Sequence, residues 1–367
     1  MFDLSSTVIR WIHNLPTLIS NVPGRDLIES PFYTIKRAIE VCSLNSDSCN
    51  LILFPVVFVG GFVFLWIISP IIIIWLPAYL WLITPFWWTV PIYAFWLWWD
   101  WDAPKRGARP WEILRDNIGW RWFSQYFPIK LVKTAELDPE KNYIVGLVAE
   151  RFLSIGGFTT FLTNATGFKE KFPGITANII TLNGQFYFPG RREFGLVVGG
   201  CESSKSSLRW LLHHPGKGRA IGIVLGGLNE SLMARPGRHD LKLLNRRGFC
   251  RFALQYGADL VPLYHFGEND LYDQAPGQDE QLVKNMQARI RNVVGFCPPL
   301  PQGRSILNLP WGGLLPYSRP ITSVMGAPIR VDRVDELHSK YCDALSELFE
   351  KHKHLHEIAE DVHINFY

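Results

Sequence analysis

The chain divides by pattern into an unbroken apolar run and a longer stretch of alternating short blocks. From Ser48 to Trp99, 52 residues pass without an Asp, Glu, Lys, Arg or His. One membrane helix needs about 20 apolar residues, so the run accommodates two. Pro70 and Pro77 fall near its middle, which predicts a hairpin with limbs Leu51–Ser69 and Tyr79–Trp98. A helix pair buried in a protein core is the alternative. Ahead of it, Ser6–Ser20 has the spacing of an interfacial helix. Beyond Trp111, strands are predicted over Tyr143–Leu147, Ala177–Leu182, Leu196–Val198, Ala220–Leu225, Leu260–Phe266 and Ile321–Met325. Helices are predicted over Phe152–Thr166, Ser204–His213, Gly248–Tyr256, Gln278–Val294 and Val334–Lys353. That alternation predicts an α/β sheet flanked by helices. The expected organisation is an N-terminal segment 1–50, a transmembrane or re-entrant hairpin 51–99 and an α/β domain 100–367.

Charge refines this picture. The net charge of +4 says little, but the flanks of the apolar run are informative. Met1–Asp47 carries four Lys or Arg, Asp100–Thr134 carries seven, and the expected hairpin turn carries none. The positive-inside rule then puts both ends in the cytosol. The six Cys are scattered without metal or disulfide spacing, which fits a reducing compartment. Gly199–Ser206 misses a phosphate-binding P-loop, because Ser204 stands where the second Gly is required.

Several separate motifs then occur in order. They are Trp99-Asp100-Trp101-Asp102-Ala103-Pro104-Lys105-Arg106-Gly107, Tyr126-Phe127-Pro128, Phe172-Pro173-Gly174-Ile175 and Gly226-Gly227-Leu228-Asn229-Glu230-Ser231. Further on come Asn245-Arg246-Arg247-Gly248, Leu260-Val261-Pro262, Tyr264-His265-Phe266-Gly267-Glu268-Asn269 and Trp311-Gly312-Gly313-Leu314. This series resembles the type-2 diacylglycerol acyltransferase family, which includes mono- and diacylglycerol and wax-ester acyltransferases. The resemblance runs from about Trp96 to Lys353. It implies a glycerolipid-acyltransferase-like sheet and transfer of a fatty acyl group from acyl-CoA to a lipid alcohol in triacylglycerol synthesis. It also implies residence on the endoplasmic reticulum or lipid-droplet surface. Acyl-CoA enters as substrate; no other cofactor, no metal and no nucleic acid is implied.

One family feature is missing. The strand that should lead into His-Pro-His-Gly instead leads into Val148-Ala149-Glu150-Arg151, and no His lies between His13 and His213. Acyl transfer to a hydroxyl needs a base. Glu150 stands at the second His position and can serve if burial raises its pKa, against which a pairing with Arg151 would work; as an alternative it is a structural or binding residue. His265, at the end of the Val-Pro strand near Glu268, is the other candidate base, since ligands bind at strand ends of α/β sheets; a surface or satisfied core His is the plain reading. Glu230 can bind the acceptor hydroxyl or orient a base, or simply cap a helix. Gly226 and Gly227 allow close backbone approach to a ligand. Asn245, Arg246, Arg247 and Gly248, with Glu268 and Asn269, are candidates for holding acyl-CoA or lipid; a solvated basic face is the alternative. His213-His214-Pro215-Gly216 and the His338/Asp343 pair mimic acyltransferase motifs only superficially.

Two expectations stay open. One is an active acyltransferase with an unconventional base. The other is a non-catalytic relative that binds lipid, acyl-CoA or an active paralogue. Expected partners are acyl-CoA, an acylglycerol or other lipid alcohol, the membrane, and a second copy or paralogue.

Overall fold

The computed structural model describes residues 46–148, 153–213, 216–226, 237–274, 285–286, 289, 301–304, 313–330 and 332–367. Leu53–Tyr367 form one compact unit. The helices are α1 (Ser46–Val63), α2 (Ser69–Ile83), α3 (Thr89–Trp99), α4 (Glu112–Arg115), α5 (Ile118–Tyr126), α6 (Ile155–Leu162), α7 (Phe168–Lys171), α8 (Arg191–Val198), α9 (Lys205–His213), α10 (Gly248–Tyr256) and α11 (Val334–His352). The strands are β1 (Ile129–Lys133), β2 (Tyr143–Val148), β3 (Thr176–Thr181), β4 (Gly200–Glu202), β5 (Arg219–Val224), β6 (Asp240–Leu241), β7 (Asp259–Phe266), β8 (Asp273–Gln274), β9 (Pro301–Gln302), β10 (Ile321–Met325) and β11 (Asn365–Phe366).

Seven strands form one mixed sheet in the order β1-β10-β7-β2-β5-β3-β4. Only the β10–β7 pairing is antiparallel. β2 and β7 lie at its centre and are buried at every position, as expected of strands covered on both faces. Period-two alternation sends Val145, Leu147, Val261 and Leu263 to one face, against Phe158 and Phe161 of α6 and Phe123 of α5. Ile144, Val148, Leu260 and Tyr264 face the other way, against α10 and α11. Thus the α/β expectation and the β2, β3, β5, β7, β10, α10 and α11 positions match the structure within one or two residues.

Three expectations are corrected. Leu196–Val198 is the last turn of α8, not a strand; Gly199 (φ 96°) ends the helix, and the strand begins at Gly200. β1, a short edge strand, escaped the sequence reading. The apolar run also does not reverse at Pro70 or Pro77. Helical backbone continues through a π turn, Phe64–Ile68, placed where Pro70 lacks the N–H that would return to Trp66. The chain turns instead at residues 84–88, where Thr84 Oγ1 caps Leu80 O and accepts from Phe86 N–H. No helix among the described residues is long and apolar enough to cross a membrane. Part of α1 is core: Val59, Phe62 and Val63 are buried, and Phe62 packs on Trp120, Phe123 and Phe158. The expected helices Ser6–Ser20 and Gln278–Val294 lie outside the described residues, the latter apart from 285–286 and 289.

Candidate active site at the end of strands β2 and β7

β2 and β7 run parallel, with Val148 opposite Tyr264. His265 therefore lies one position past the partner of Val148, next to where the motif is expected from sequence. Its side chain faces α6, because Tyr264 faces α11. His265 is 1% exposed and its Nδ1 lies 2.8 Å from Ser323 Oγ on β10. Thr160 of α6 donates to the same Ser323 oxygen at 3.4 Å. In the tautomer with Nδ1–H donating to Ser323, the basic lone pair sits on Nε2.

Glu268 completes the cluster. After β7 the chain turns at Gly267 (φ 82°), where a Cβ would meet Pro320 O at 2.1 Å, so only glycine fits. That turn carries the Glu268 carboxylate to the start of α6. Its two oxygens accept the N–H groups of Ile155 (2.9 Å) and Gly156 (2.8 Å). Ser154 makes no side-chain cap, so Glu268 supplies it from the neighbouring strand end. A Cβ on Gly156 would fall 2.6 Å from His265 Nδ1 and 3.2 Å from Glu268. Glycine at this position lets the helix start close on both groups. Four buried polar side chains, His265, Glu268, Ser323 and Thr160, thus converge on one side of the sheet. Burying such groups is costly unless they are satisfied.

The other candidates separate from this cluster. Val148, at the first motif position, is a core residue 1% exposed on the α11 face. Ala149, Glu150 and Arg151 lie outside the described residues, as do Gly227 and Glu230. Gly226 directly follows Leu225 past the end of β5. Arg246, Arg247 and Gly248 lead into α10, whose Phe249 packs on Tyr341 at 5.1 Å on the face opposite α6. Arg247 is engaged with Asp335 at 2.5 Å, and Asn245 is exposed. Asn269 donates to Arg238 O at 3.0 Å. The structure therefore brings His265 and Glu268 together but leaves the basic residues on the other face. His338 is held by Leu243 O at 3.0 Å within the α11 packing. Cys201 and Cys250 are buried, and burial pushes both thiols up to about 12, which removes them as nucleophiles at neutral pH. Ser323 and Thr160 were not singled out from sequence. Ser323 reads there as one small polar residue in a strand, and only the β10–β7 register places it opposite His265.

The polar cluster lies at the start of the helix after β2, at a strand end of a mixed α/β sheet, the place where such sheets commonly bind ligands. The sequence profile of the diacylglycerol acyltransferase family matches residues 79–367, and the chain belongs to that family. It is 40% identical over 278 residues to diacylglycerol O-acyltransferase 2 of Homo sapiens, covering 74% of this chain and 72% of that one. It is 39% identical over 306 residues to diacylglycerol O-acyltransferase 2A of Umbelopsis ramanniana, covering 80% and 82%. Among solved structures, the 1-acyl-sn-glycerophosphate acyltransferase PlsC of Thermotoga maritima covers 82% of this chain and 95% of its own at 11% identity and a TM-score of 0.38. At that score the likeness defines no shared site.

Proposed function

We propose that this chain is an acyl-CoA-dependent O-acyltransferase that esterifies a mono- or diacylglycerol, with His265 as its base. Family membership supports the reaction class. The observation that carries the residue assignment is His265 beside the replaced motif, oriented by Ser323 and set against the Glu268-capped start of α6. His265 Nε2 would take the proton of the acceptor hydroxyl as its oxygen attacks the thioester carbonyl. The carbonyl oxygen becomes an oxyanion as the tetrahedral intermediate forms. Its collapse breaks the C–S bond, and the imidazolium returns the proton to the departing thiolate, giving ester and free CoA. The buried setting disfavours hydrolysis by excluding water. The test is turnover of labelled acyl-CoA with mono- and diacylglycerol by purified protein, with every paralogue absent.

A second reading has its own observation. Val148 fills the first motif position as a core residue, so the strand has adapted to the loss of that histidine. In this reading the chain binds lipid, acyl-CoA or an active paralogue without turnover. No product in the same assay, with retained binding of acyl-CoA, would select it.

The same proposal places the protein on the endoplasmic reticulum or a lipid droplet, with the domain cytosolic. α3 has no buried residue, and Trp98, Trp99, Trp111 and Ile113 are 69%, 74%, 62% and 84% exposed. An apolar face of this extent suits a membrane interface. Replacing Trp98, Trp99 and Ile113 by Ser should weaken membrane partition more than about 100-fold, since each buried large side chain contributes roughly 1.5–3 kcal/mol. Unchanged retention of the triple variant through a carbonate wash would show that this face is not the anchor. The Asn164-Ala165-Thr166 and Asn229-Glu230-Ser231 sequons should stay unglycosylated; glycan on either refutes the cytosolic placement.

A further inference from the structure

The start of α8 holds a cation with no ion pair among the described residues. Arg191 and Arg192 are adjacent and both buried, at 7% and 1% exposure. Arg192 is fully engaged. Its Nη2 meets Asp100 Oδ2 at 2.8 Å and the Asp100 carbonyl, and its Nη1 meets Glu193 Oε1 at 3.4 Å. Both acids are already committed. Asp100 also takes Arg109 at 2.5 Å. Glu193 accepts from Tyr93 Oη at 2.8 Å and from Gly190 N–H at 2.7 Å.

Arg191, by contrast, makes no ion pair and no hydrogen bond among the described residues, and its Nε is buried without an acceptor. Its guanidinium lies over the Trp66 ring, Cζ 4.3 Å from the centroid, with the Phe188 ring at 5.8 Å. Trp66 Nε1 is buried without an acceptor as well. The stacked pair thus holds two buried donors, one on each residue. Burial brings the Arg191 guanidinium down only to about 10, so it stays charged at neutral pH. A desolvated cation–π contact contributes about 2 kcal/mol, while an uncompensated buried charge costs several. The contact with Trp66 does not close that gap. An acceptor arriving from outside the chain does. Arg191 is also the first residue of an eight-residue helix, whose dipole favours negative charge at the same place.

We infer that Arg191 and Trp66 Nε1, at the start of α8, bind a phosphoryl oxyanion. A tetrahedral anion with several acceptor oxygens satisfies the planar guanidinium fork and the indole N–H together. The surroundings suit a phosphate carried on an apolar body. Trp66 belongs to the apolar helical run, and Tyr187, just ahead of α8, stacks on the exposed Trp101 at 5.7 Å. An anionic phospholipid and the phosphates of CoA share this chemistry. Phe194 of the same helix stacks on Phe158 of α6 at 6.1 Å, so an occupant here adjoins the helix that carries Gly156. The site is independent of the base assignment and is read by binding, so its failure leaves the acyltransferase proposal untouched.

The experiment is thermal unfolding of the full chain in neutral detergent micelles. The additions are phosphatidic acid, with galactosyldiacylglycerol as the uncharged, phosphate-free control, and in a separate arm CoA without an acyl chain. The wild-type midpoint should rise with phosphatidic acid or with CoA, and which of them acts identifies the source. Arg191→Met should weaken the apparent affinity by about 10–100-fold, the loss of charge-assisted hydrogen bonds. It should also match or exceed the wild-type midpoint without anion, because it removes a buried unpaired charge; a purely structural Arg191 would show the opposite. Trp66→Phe keeps the ring beneath the guanidinium and removes only the indole donor. It should weaken binding by about 3–10-fold, and it tests the site even where Arg191→Met does not fold. No midpoint rise with either anion, or an equal rise in wild type and both variants, overturns the site.

Discussion

His265→Ala should lower kcat by about 10²–10⁴-fold, the usual contribution of a positioned general base, in a protein that still unfolds cooperatively. The imidazole is held from Nδ1 by Ser323 at 2.8 Å, and Gly156 lets α6 close on it. Ser323→Ala removes the orienting partner without touching substrate. It should cost less, about 10-fold, and shift the pH profile of kcat/KM, a readout that loss of packing alone would not move. Glu150→Gln is the necessary comparison, since Glu150 stands at the second His position of the expected motif. Loss in Glu150→Gln with full activity in His265→Ala would place the base in the motif. Full activity in both would remove both residues. Restoring the whole His-Pro-His-Gly motif is a poorer test than its simplicity suggests. Val148 is 1% exposed in the α11-side core, and a histidine there buries a polar ring at a cost of about 1–3 kcal/mol.

The elements that the sequence made legible are those whose pattern has one physical solution. β2 and β7 read as short apolar runs bounded by turn residues, and such runs become central strands. α11 reads as a long amphipathic stretch and spans Val334–His352. Leu196–Val198 went the other way because three apolar residues fit a helix end as well as a strand, and only the left-handed Gly199 decides. In the uncharged run, proline was a weak guide, since a π turn absorbs the missing N–H and the actual reversal follows Thr84-Pro85. The site shows the same division. His265 and Glu268 stood out as polar residues at a strand end, but the role of Glu268 differs from the ligand contact expected of it. Its carboxylate is spent on the N–H groups of α6, a partner more than a hundred positions away. Arg191 could not be found in advance. Arg191-Arg192-Glu193 reads as a solvated helix start, and only packing against Trp66 shows that it is not.

Glu268→Ala should be among the most destabilising single changes in the domain. The carboxylate is 1% exposed and accepts two N–H groups at 2.9 and 2.8 Å. Removing it orphans both donors at a helix start that Ser154 does not cap. Each buried unsatisfied group costs about 1–3 kcal/mol, so the pair costs roughly 2–6 kcal/mol, with the lost charge–dipole attraction in addition. For a domain of this size that corresponds to a fall in Tm of roughly 5–15 °C. Glu268→Gln keeps one acceptor but turns an NH₂ toward the second N–H, so it should recover less than half of the loss. Glu136→Ala is the control. Its carboxylate is 81% exposed and pairs only with Lys133, and a surface pair of that kind contributes about 0–1 kcal/mol. Equal midpoints for Glu268→Ala and Glu136→Ala would show that α6 does not depend on this cap. Turnover should fall further than stability in Glu268→Gln, measured well below its midpoint. A start of α6 displaced by even 1 Å moves Gly156 against His265, and misplacement on that scale costs about 10²-fold in rate.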